Sequence, residues 1–263
     1  MTDPRSLPEY DSQDECRWLK EGESFDDLQR GGLKIIQSSS VFKFGMDAVL
    51  LSDFAKASKD EKVLDLCSGN GIVPLLLATR DKGAHITGIE LSRYSAEMAA
   101  RSVAYNGLKD RITMICGDAL KAKELLGGGL CDVITCNPPY MKGGHGLKNT
   151  DDAKTIARHE IKLTLEELVA QMAKLLRTKG RVYMVHRPFR LGELFVVMHE
   201  YGIELKRMRM VHPFADHEPN MVLLEGVRGA KSYLKVDPPL IVYDSPGNYT
   251  TEIMNIYGYS ENP

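Results

Sequence analysis

The chain has 263 residues, of which 43% are hydrophobic and 27% charged, with a formal net charge of −2. This length and composition allow a sizeable core and exclude a disordered or fibrous protein. No apolar run reaches the ~18 residues that a membrane-spanning helix needs, and the acidic N-terminus does not have the pattern of a secretion signal. We therefore expect a cytoplasmic protein.

The five cysteines show no paired metal-binding spacing and are odd in number. Three of them lie on or at the end of apolar runs that resemble strands. This pattern favours core thiols in a reducing compartment over disulfides or zinc ligands. We expect no metal.

The first part of the chain is polar and acidic, and residues 1–30 are predicted to form a flexible arm. Two short strands are predicted, over residues 31–36 and 41–44. They are expected to form a hairpin or a cover ahead of the main sheet. Residues 46–57 predict a helix with Asp47 in its first turn, where an acid suits the helix dipole.

Residues 63–136 alternate between strand and helix patterns, with helices predicted near 74–80 and 95–105. The second helix is expected to stop at Asn106-Gly107. Such alternation is typical of a parallel sheet with helices on both faces.

The first of these strands ends in a glycine turn, and its candidate ligand residues are Asp65, Cys67, Gly69 and Gly71. The glycines permit positive φ and let a ligand approach the backbone closely. A Gly-x-Gly turn alone is weak evidence for a nucleotide-like cofactor. The acidic Asp65 favours a cationic group, such as the ammonium of an amino acid, over a phosphate.

The next two strands also end in polar residues. Glu90 follows Asp65 by 25 positions, and an acid at such a strand end typically binds ribose hydroxyls. Asp118 can accept a hydrogen bond from an adenine amino group, and the Ala119 N–H can donate to the ring. Together these strand ends suit one ligand that contains adenosine and an amino acid.

A fourth strand, residues 131–136, ends in Asn137-Pro138-Pro139-Tyr140. Two prolines must end the strand ladder, so the turn is stiff and lies at the carboxyl edge of the sheet. The Asn137 carboxamide and the Pro138 carbonyl can each accept one N–H of a planar NH2 group, while Tyr140 stacks on its π system. No strong base is needed if the electrophile is a sulfonium methyl group. An ordinary turn with an exposed tyrosine is the alternative.

Further elements are predicted along the rest of the chain. They are a mobile glycine- and lysine-rich loop over 141–160, helices over 163–177 and 191–201, a strand over 182–185, an antiparallel strand pair over 203–211 and 221–227, and a tail over 231–243 that packs on the body.

The charge is uneven along the chain. Residues 141–235 carry 17 basic and 11 acidic side chains, whereas residues 236–263 carry four acidic side chains and none that are basic. A local basic patch, rather than the overall charge, is what a nucleic-acid backbone meets. The candidate RNA contacts are Lys142, Lys148, Arg158, Arg187 and Arg190.

The order of these motifs resembles the class I S-adenosylmethionine-dependent methyltransferases, and the Asn-Pro-Pro-Tyr sequence resembles their branch that methylates exocyclic or amide nitrogens. Over residues 24–258 the chain is similar to the tRNA(Val) N6-adenine methyltransferase family. The sequence segments that carry this closer similarity are residues 27–29, 32–37, 42–51, 186–188, 212–213, 218–220, 234–240 and 257–258.

The resemblance implies an α/β fold of the Rossmann-like class I type, with a seven-stranded, mostly parallel sheet and helices on both faces. It implies one domain over 31–263, with a cover (31–60), a core (61–230) and a tail (231–263). It adds Phe44 and Asp47 to the cofactor pocket. The cofactor is expected to be S-adenosylmethionine, and the substrate an adenine on the 3′ side of the anticodon in a tRNA.

Three alternatives stay open because a carboxamide or a guanine also presents a planar NH2 group. They are N5-methylation of a protein glutamine, N2-methylation of an rRNA guanine, and RNA binding without catalysis. A monomer that binds neither membrane nor metal is expected.

Overall fold

A computed structural model describes residue 7 and residues 17–39, 44–80, 84–139 and 163–259. The first elements are β1 (Glu23–Asp27) and β2 (Lys34–Ser38), which pair antiparallel in a separate two-stranded sheet. The expectation of an unstructured arm up to residue 30 is therefore wrong for β1. The strand predicted over 31–36 corresponds to β2, and it pairs with β1 rather than with the strand predicted over 41–44. Residues 41–43 lie outside the described ranges.

The remaining elements follow the predicted alternation of strands and helices. The helices are α1 (Met46–Phe54), α2 (Ile72–Arg80), α3 (Arg93–Tyr105), α4 (Ala122–Leu125), α5 (Leu165–Leu175), α6 (Leu191–Glu200) and α7 (Thr251–Tyr257). The longer strands are β3 (Lys62–Leu66), β4 (His85–Glu90), β5 (Ile112–Cys116), β6 (Cys131–Cys136), β7 (Leu176–His186), β8 (Ile203–His212) and β9 (Met221–Arg228). The short strands are β10 (Lys235–Val236), β11 (Leu240–Ile241), β12 (Tyr243–Ser245) and β13 (Asn248–Tyr249).

The central sheet has the strand order β8-β9-β7-β6-β3-β4-β5. β9 runs antiparallel to both of its neighbours, and the pairs among β3 to β7 are parallel. This confirms the mostly parallel α/β sheet and the antiparallel pair at its end. β10 and β11 both pair with β8, so the described residues form a sheet of nine strands, two more than the seven expected.

Alternate residues of the central strands enter two cores, one on each face of the sheet. Val63 and Val133 pack on the face that α1, α2 and α7 cover. Leu64 and Ile134 pack on the opposite face, against α5 and α6. Burial on both faces explains why these strands are continuously apolar. In the described part of the chain no helix is long and apolar enough to span a membrane.

Several boundaries differ from the predicted ones. α1 ends at Phe54 rather than at residue 57, and α5 spans Leu165–Leu175 rather than residues 163–177. β7 begins directly after α5 and spans Leu176–His186 rather than residues 182–185. β7 is irregular near its start, since Lys179 has a φ of +65°. The carboxyl ends of β3 to β7 nevertheless align at one edge, because Leu66 pairs with Cys136 and Cys136 with Met184.

Candidate active site

Asp65 lies at the end of β3 with only 1% of its surface exposed. Its Oδ1 accepts a hydrogen bond from the Thr135 hydroxyl of β6 at 2.6 Å, and its buried Oδ2 has no hydrogen-bond partner among the described residues. Burial raises the pKa of Asp65 to about 7, and the charge of Glu90 adds to this, while the nearby Ser68 and Thr135 hydroxyls lower it. A bound cation beside Oδ2 would supply the missing partner and favour the carboxylate.

The glycine turn after β3 has open space beside Gly69. Its φ is +56°, and a Cβ built there would meet no atom within 4 Å in the described structure. Gly71 (φ +83°) is constrained differently, because a Cβ there would lie 3.0 Å from the Cβ of Ala99 in α3. Cys67 also has a positive φ, +61°, which is uncommon for a residue with a side chain. Gly69 therefore leaves room for a ligand, and Gly71 allows close packing of α3.

One further polar atom of this turn, the side-chain Nδ2 of Asn70, is buried without a hydrogen-bond partner in the described structure. The Ser68 hydroxyl of the same turn lies close enough to Asp65 to lower the pKa of that carboxyl. Buried polar groups are usually paired, so unpaired ones close together indicate a place where a ligand or water belongs. Asn70 is not among the residues predicted from the sequence, because the glycines on either side of it define the motif.

Glu90 ends β4 and connects the turn to α3. One carboxylate oxygen accepts from the Gly69 N–H and the other from the Ser92 N–H, each at 2.8 Å. A carboxylate has about four acceptor positions, so each oxygen keeps one that a ribose hydroxyl can use. The structure therefore brings Asp65, Gly69 and Glu90 together, as the sequence predicts.

Asp118 and Ala119 follow β5 beside the end of β4. The Asp118 Oδ1 accepts from the Leu120 N–H at 2.9 Å and caps a short 3₁₀ turn, Ala119–Lys121. The Gly117 N–H donates to the Glu90 carbonyl at 2.9 Å, which fixes this loop against β4. The predicted adenine-binding residues thus lie on the same sheet edge as Glu90.

Asn137, Pro138 and Pro139 leave β6 as irregular backbone at that edge. Asn137 and Pro139 are half-buried and Pro138 is buried. Thr135, two residues before Asn137, is the donor to Asp65, so β6 connects the acid of β3 to the proline turn. Tyr140 lies outside the described residues.

A cavity opens against the two prolines, on the face of the sheet that α5 covers. Its lining residues are Pro138, Pro139, Leu163, Thr164, Leu165, Leu168, His186 and Arg190. His186 has 1% of its surface exposed, and its Nδ1 accepts from the Arg187 N–H at 2.8 Å. Burial, followed by the charge of Arg190, lowers the pKa of His186 to about 4, so the ring is neutral with its proton on Nε2. His186 is not among the site residues predicted from the sequence, although its position at the end of the strand beside β6 could have indicated it.

Phe44 and Asp47 lie at the start of α1. Phe44 packs against the core on the α1 face, and the Asp47 Oδ1 accepts from the Ala48 N–H at 2.9 Å. Burial raises the pKa of Tyr257 in α7, and the charges of neighbouring tyrosines and of Asp47 add to this. Their contact with a cofactor stays a prediction.

The predicted RNA contacts have different surroundings. Lys142, Lys148 and Arg158 lie outside the described residues. Arg187 donates to the Asn220 carbonyl at 2.9 Å. Arg190 is buried, and its guanidinium binds the Glu193 carboxylate through Nε at 2.9 Å and Nη2 at 2.6 Å. This pairing stabilises the turn, and a contact of Arg190 with RNA stays a prediction.

Most described arginines of the basic segment are likewise bound to carboxylates. The pairs are Arg177 with Asp132, Arg181 with Glu61, Arg207 with Glu225, and Arg209 with Glu252. In each pair the carboxylate neutralises a positive charge that a count along the sequence treats as available to RNA. The expected basic patch is therefore much weaker among these residues than their number indicates.

A family model described as the methyltransferase small domain matches residues 33–193, more than half of the chain. The chain belongs to the methyltransferase small domain family. The matched stretch of this methyltransferase includes Asp65, Glu90, Asp118 and the Asn-Pro-Pro-Tyr sequence. It runs from the start of the β2 hairpin strand to the first turn of α6.

Relatives and solved structures agree with this assignment. The methyltransferase is 31% identical over 231 residues, 84% of this chain and 89% of the other, to the tRNA1(Val) (adenine(37)-N6)-methyltransferase of Porphyromonas gingivalis strain ATCC 33277. A crystal structure of a predicted O-methyltransferase from Agrobacterium tumefaciens has a TM-score of 0.65 at 20% identity, covering 81% of this chain and 95% of that one. The T. Thermophilus 16S rRNA N2 G1207 methyltransferase, in complex with AdoMet and guanosine, has a TM-score of 0.56 at 21% identity and covers 80% and 52%. The two structures share the fold.

The methyltransferase uses S-adenosylmethionine, and the described residues fit this cofactor. The unpaired Oδ2 of Asp65 suits its ammonium group, and the open acceptor positions of Glu90 suit ribose hydroxyls. The space beside Gly69 allows the ligand to approach the backbone. No cluster of three or more His, Cys, Asp or Glu side chains that could hold a metal occurs in the described ranges.

Proposed function

We propose that this methyltransferase modifies N6 of an adenine in the anticodon loop of a tRNA, on the 3′ side of the anticodon. The relatives named tRNA1(Val) (adenine(37)-N6)-methyltransferase support the substrate, since they match more than four-fifths of the chain at up to 31% identity. The observation that carries the proposal is the Thr135–Asp65 hydrogen bond, which holds the cofactor acid beside the strand that ends in Asn137.

Asn137 and Pro138 orient the amine in this proposal. The Asn137 side-chain oxygen and the Pro138 carbonyl each accept one N–H, which turns the nitrogen lone pair out of conjugation with the ring. Pro138 and Pro139 keep the two acceptors fixed, because their rings lock φ. Such a preorganised pair of acceptors acts by orientation and electrostatics and needs no general base. Bound S-adenosylmethionine supplies an electrophilic methyl group.

Tyr140 stacks on the adenine in the same proposal, and the target base leaves the stack of its neighbours to reach the turn. Single-stranded loops allow this at a smaller energetic cost than a duplex does. Lys142, Lys148, Arg158 and Arg187 are the proposed phosphate contacts. The proposed enzyme is a single-domain cytoplasmic monomer.

Protein glutamine and rRNA guanine are the competing substrates, because each presents a similar NH2 group. The test is to incubate the enzyme with isotope-labelled S-adenosylmethionine and unmodified total tRNA, and to identify the labelled nucleoside by mass spectrometry. N6-methyladenosine is expected. Label in N2-methylguanosine, or label in protein when a cell extract replaces the tRNA, would reject the assignment.

A further inference from the structure

Phe189 is the most exposed phenylalanine of the described chain, with 71% of its surface exposed. It lies in the 3₁₀ turn Pro188–Arg190, between the buried residues His186 and Arg190. Single exposed apolar residues are common on protein surfaces and need no special explanation. The position of this one in the fold is what distinguishes it.

The turn that carries Phe189 lies beside the proline turn. β7 pairs in parallel with β6, and Cys136 is opposite Met184, so His186 is level with Pro138. His186 and Arg190 both line the cavity against Pro138 and Pro139. Phe189 is the chain neighbour of Arg190, and consecutive Cα atoms are about 3.8 Å apart, so the backbone of Phe189 lies next to the lining of this cavity, at its rim.

The turn is held rigidly on both sides of the ring. Pro188 fixes its own φ, and the Arg190 N–H donates to the Arg187 carbonyl at 3.1 Å. The Arg190 guanidinium is locked on Glu193 by two hydrogen bonds. An aromatic ring on a preorganised backbone loses little conformational freedom when a ligand covers it.

We propose that Phe189 is a stacking platform for a tRNA base adjacent to the target adenine. This inference rests on the proposed function. An unstacked base in an RNA loop typically stacks on an exposed aromatic side chain, and this contact does not depend on which base it is. Any RNA whose adenine reaches Asn137 has neighbouring nucleotides at the rim of the site, where Phe189 and Arg187 lie. The Arg187 guanidinium has the planar geometry that suits a phosphate of the same strand.

The test uses Phe189→Ala, with Phe189→Trp as the aromatic rescue and Phe195→Ala as the control. Phe195 is a second exposed phenylalanine, 38% exposed, on α6. Loss of one base–aromatic stack corresponds to a rise of about 5- to 150-fold in the KM for tRNA. We expect this rise for Phe189→Ala, recovery for Phe189→Trp, and no change for Phe195→Ala. The affinity for S-adenosylhomocysteine and the melting temperature should be unchanged in all three variants.

A fluorescent analogue separates stacking from other effects. Two anticodon stem-loops are needed, with 2-aminopurine on the 5′ or on the 3′ side of the target adenine. The wild-type enzyme should quench the 2-aminopurine fluorescence of one of them, and Phe189→Ala should quench neither. Equal KM values for wild type and Phe189→Ala, with an active wild type, would overturn the inference and leave the proposed function standing. A shift in sedimentation coefficient with Phe189→Ala would overturn it in favour of a contact between protein subunits. A wild type that does not methylate tRNA would overturn both.

Discussion

The Thr135 hydroxyl donates to the Asp65 Oδ1 at 2.6 Å, between two paired residues of neighbouring parallel strands. β3 continues from Asp65 into the glycine turn, and β6 continues from Thr135 into Asn137. The hydrogen bond therefore fixes the position of the proposed cofactor acid relative to the turn that is proposed to orient the amine. Since its donor and acceptor are both buried, a change at either residue should affect the site more than the surface.

Replacing Thr135 by Val removes the donor at nearly constant volume. The pKa of Asp65 should rise further, because one of the groups that lower it is lost. Each unit of that rise weakens cofactor binding at neutral pH by about tenfold. Calorimetric titration with S-adenosylhomocysteine measures this effect. Thr135→Ser keeps the hydroxyl and should bind normally, and equal affinities for the Val and Ser variants would contradict the role of the hydrogen bond.

The affinity for the cofactor should depend on pH through Asp65. Its pKa is raised to about 7, so the carboxyl is largely neutral at pH 6 and ionised at pH 8. An ammonium group binds the ionised form, and the affinity should therefore rise by up to about tenfold per pH unit below pH 7 and level off above it. Titrations with S-adenosylhomocysteine between pH 5.5 and 8.5 measure the slope. Asp65→Asn should bind weakly with a flat profile; the same slope in this variant would assign the titration to another group.

The two glycines of the turn should respond differently to alanine. At Gly71 the new methyl group would lie 3.0 Å from the Ala99 Cβ at a φ of +83°, which should lower the free energy of unfolding by about 2–4 kcal/mol. At Gly69 only the strain of positive φ is added, about 1–2 kcal/mol, while the methyl group enters the open space beside the turn. Gly69→Ala should therefore lose more cofactor affinity than stability. Urea unfolding and ligand titration of both variants test this, and the reverse ranking would contradict it.

His186 should make the stability depend on pH in the acid range. Its pKa is lowered to about 4 in the folded protein and is about 6.5 in an unfolded chain. Between these values the unfolded state binds more protons, so the contribution of His186 to stability is present above about pH 6.5 and is lost as the pH falls toward 4. Urea unfolding should show that His186→Gln loses less free energy of unfolding between pH 7.5 and pH 5 than the wild type does. The control is His85→Gln, a change of an exposed histidine, which should lose as much as the wild type.

Much of the central sheet can be predicted from the sequence, because strands buried on both faces must be apolar and are bounded here by glycines and prolines. The polar ends of β3, β4 and β6 follow from the same pattern, since they are the residues where each apolar run stops. β1 could not be predicted in this way, because three of its five residues are acidic. It is stabilised by tertiary contacts: Glu23 pairs with the buried Arg101 at 2.5 Å, and Phe25 packs on Tyr105 with ring centroids 4.4 Å apart.

The basic patch shows a second limit of the sequence. The carboxylate partner of Arg181 is 120 residues away and that of Arg209 is 43 residues away. A charge count along the chain cannot include such pairs, since they form only when the sheet assembles. The Thr135–Asp65 hydrogen bond spans 70 residues and was missed for the same reason.

The most direct test is the rate of N6-methyladenosine formation in an unmodified tRNA, compared between wild type and Asn137→Ala. Asn248→Ala, which changes an exposed asparagine of β13, is the control. Removing one of the two proposed amine acceptors should slow methyl transfer by about 10²–10³-fold, with the affinity for S-adenosylhomocysteine unchanged. The wild type and Asn248→Ala should form N6-methyladenosine at equal rates. Wild-type turnover by Asn137→Ala, or a methylated product other than N6-methyladenosine, would contradict the account.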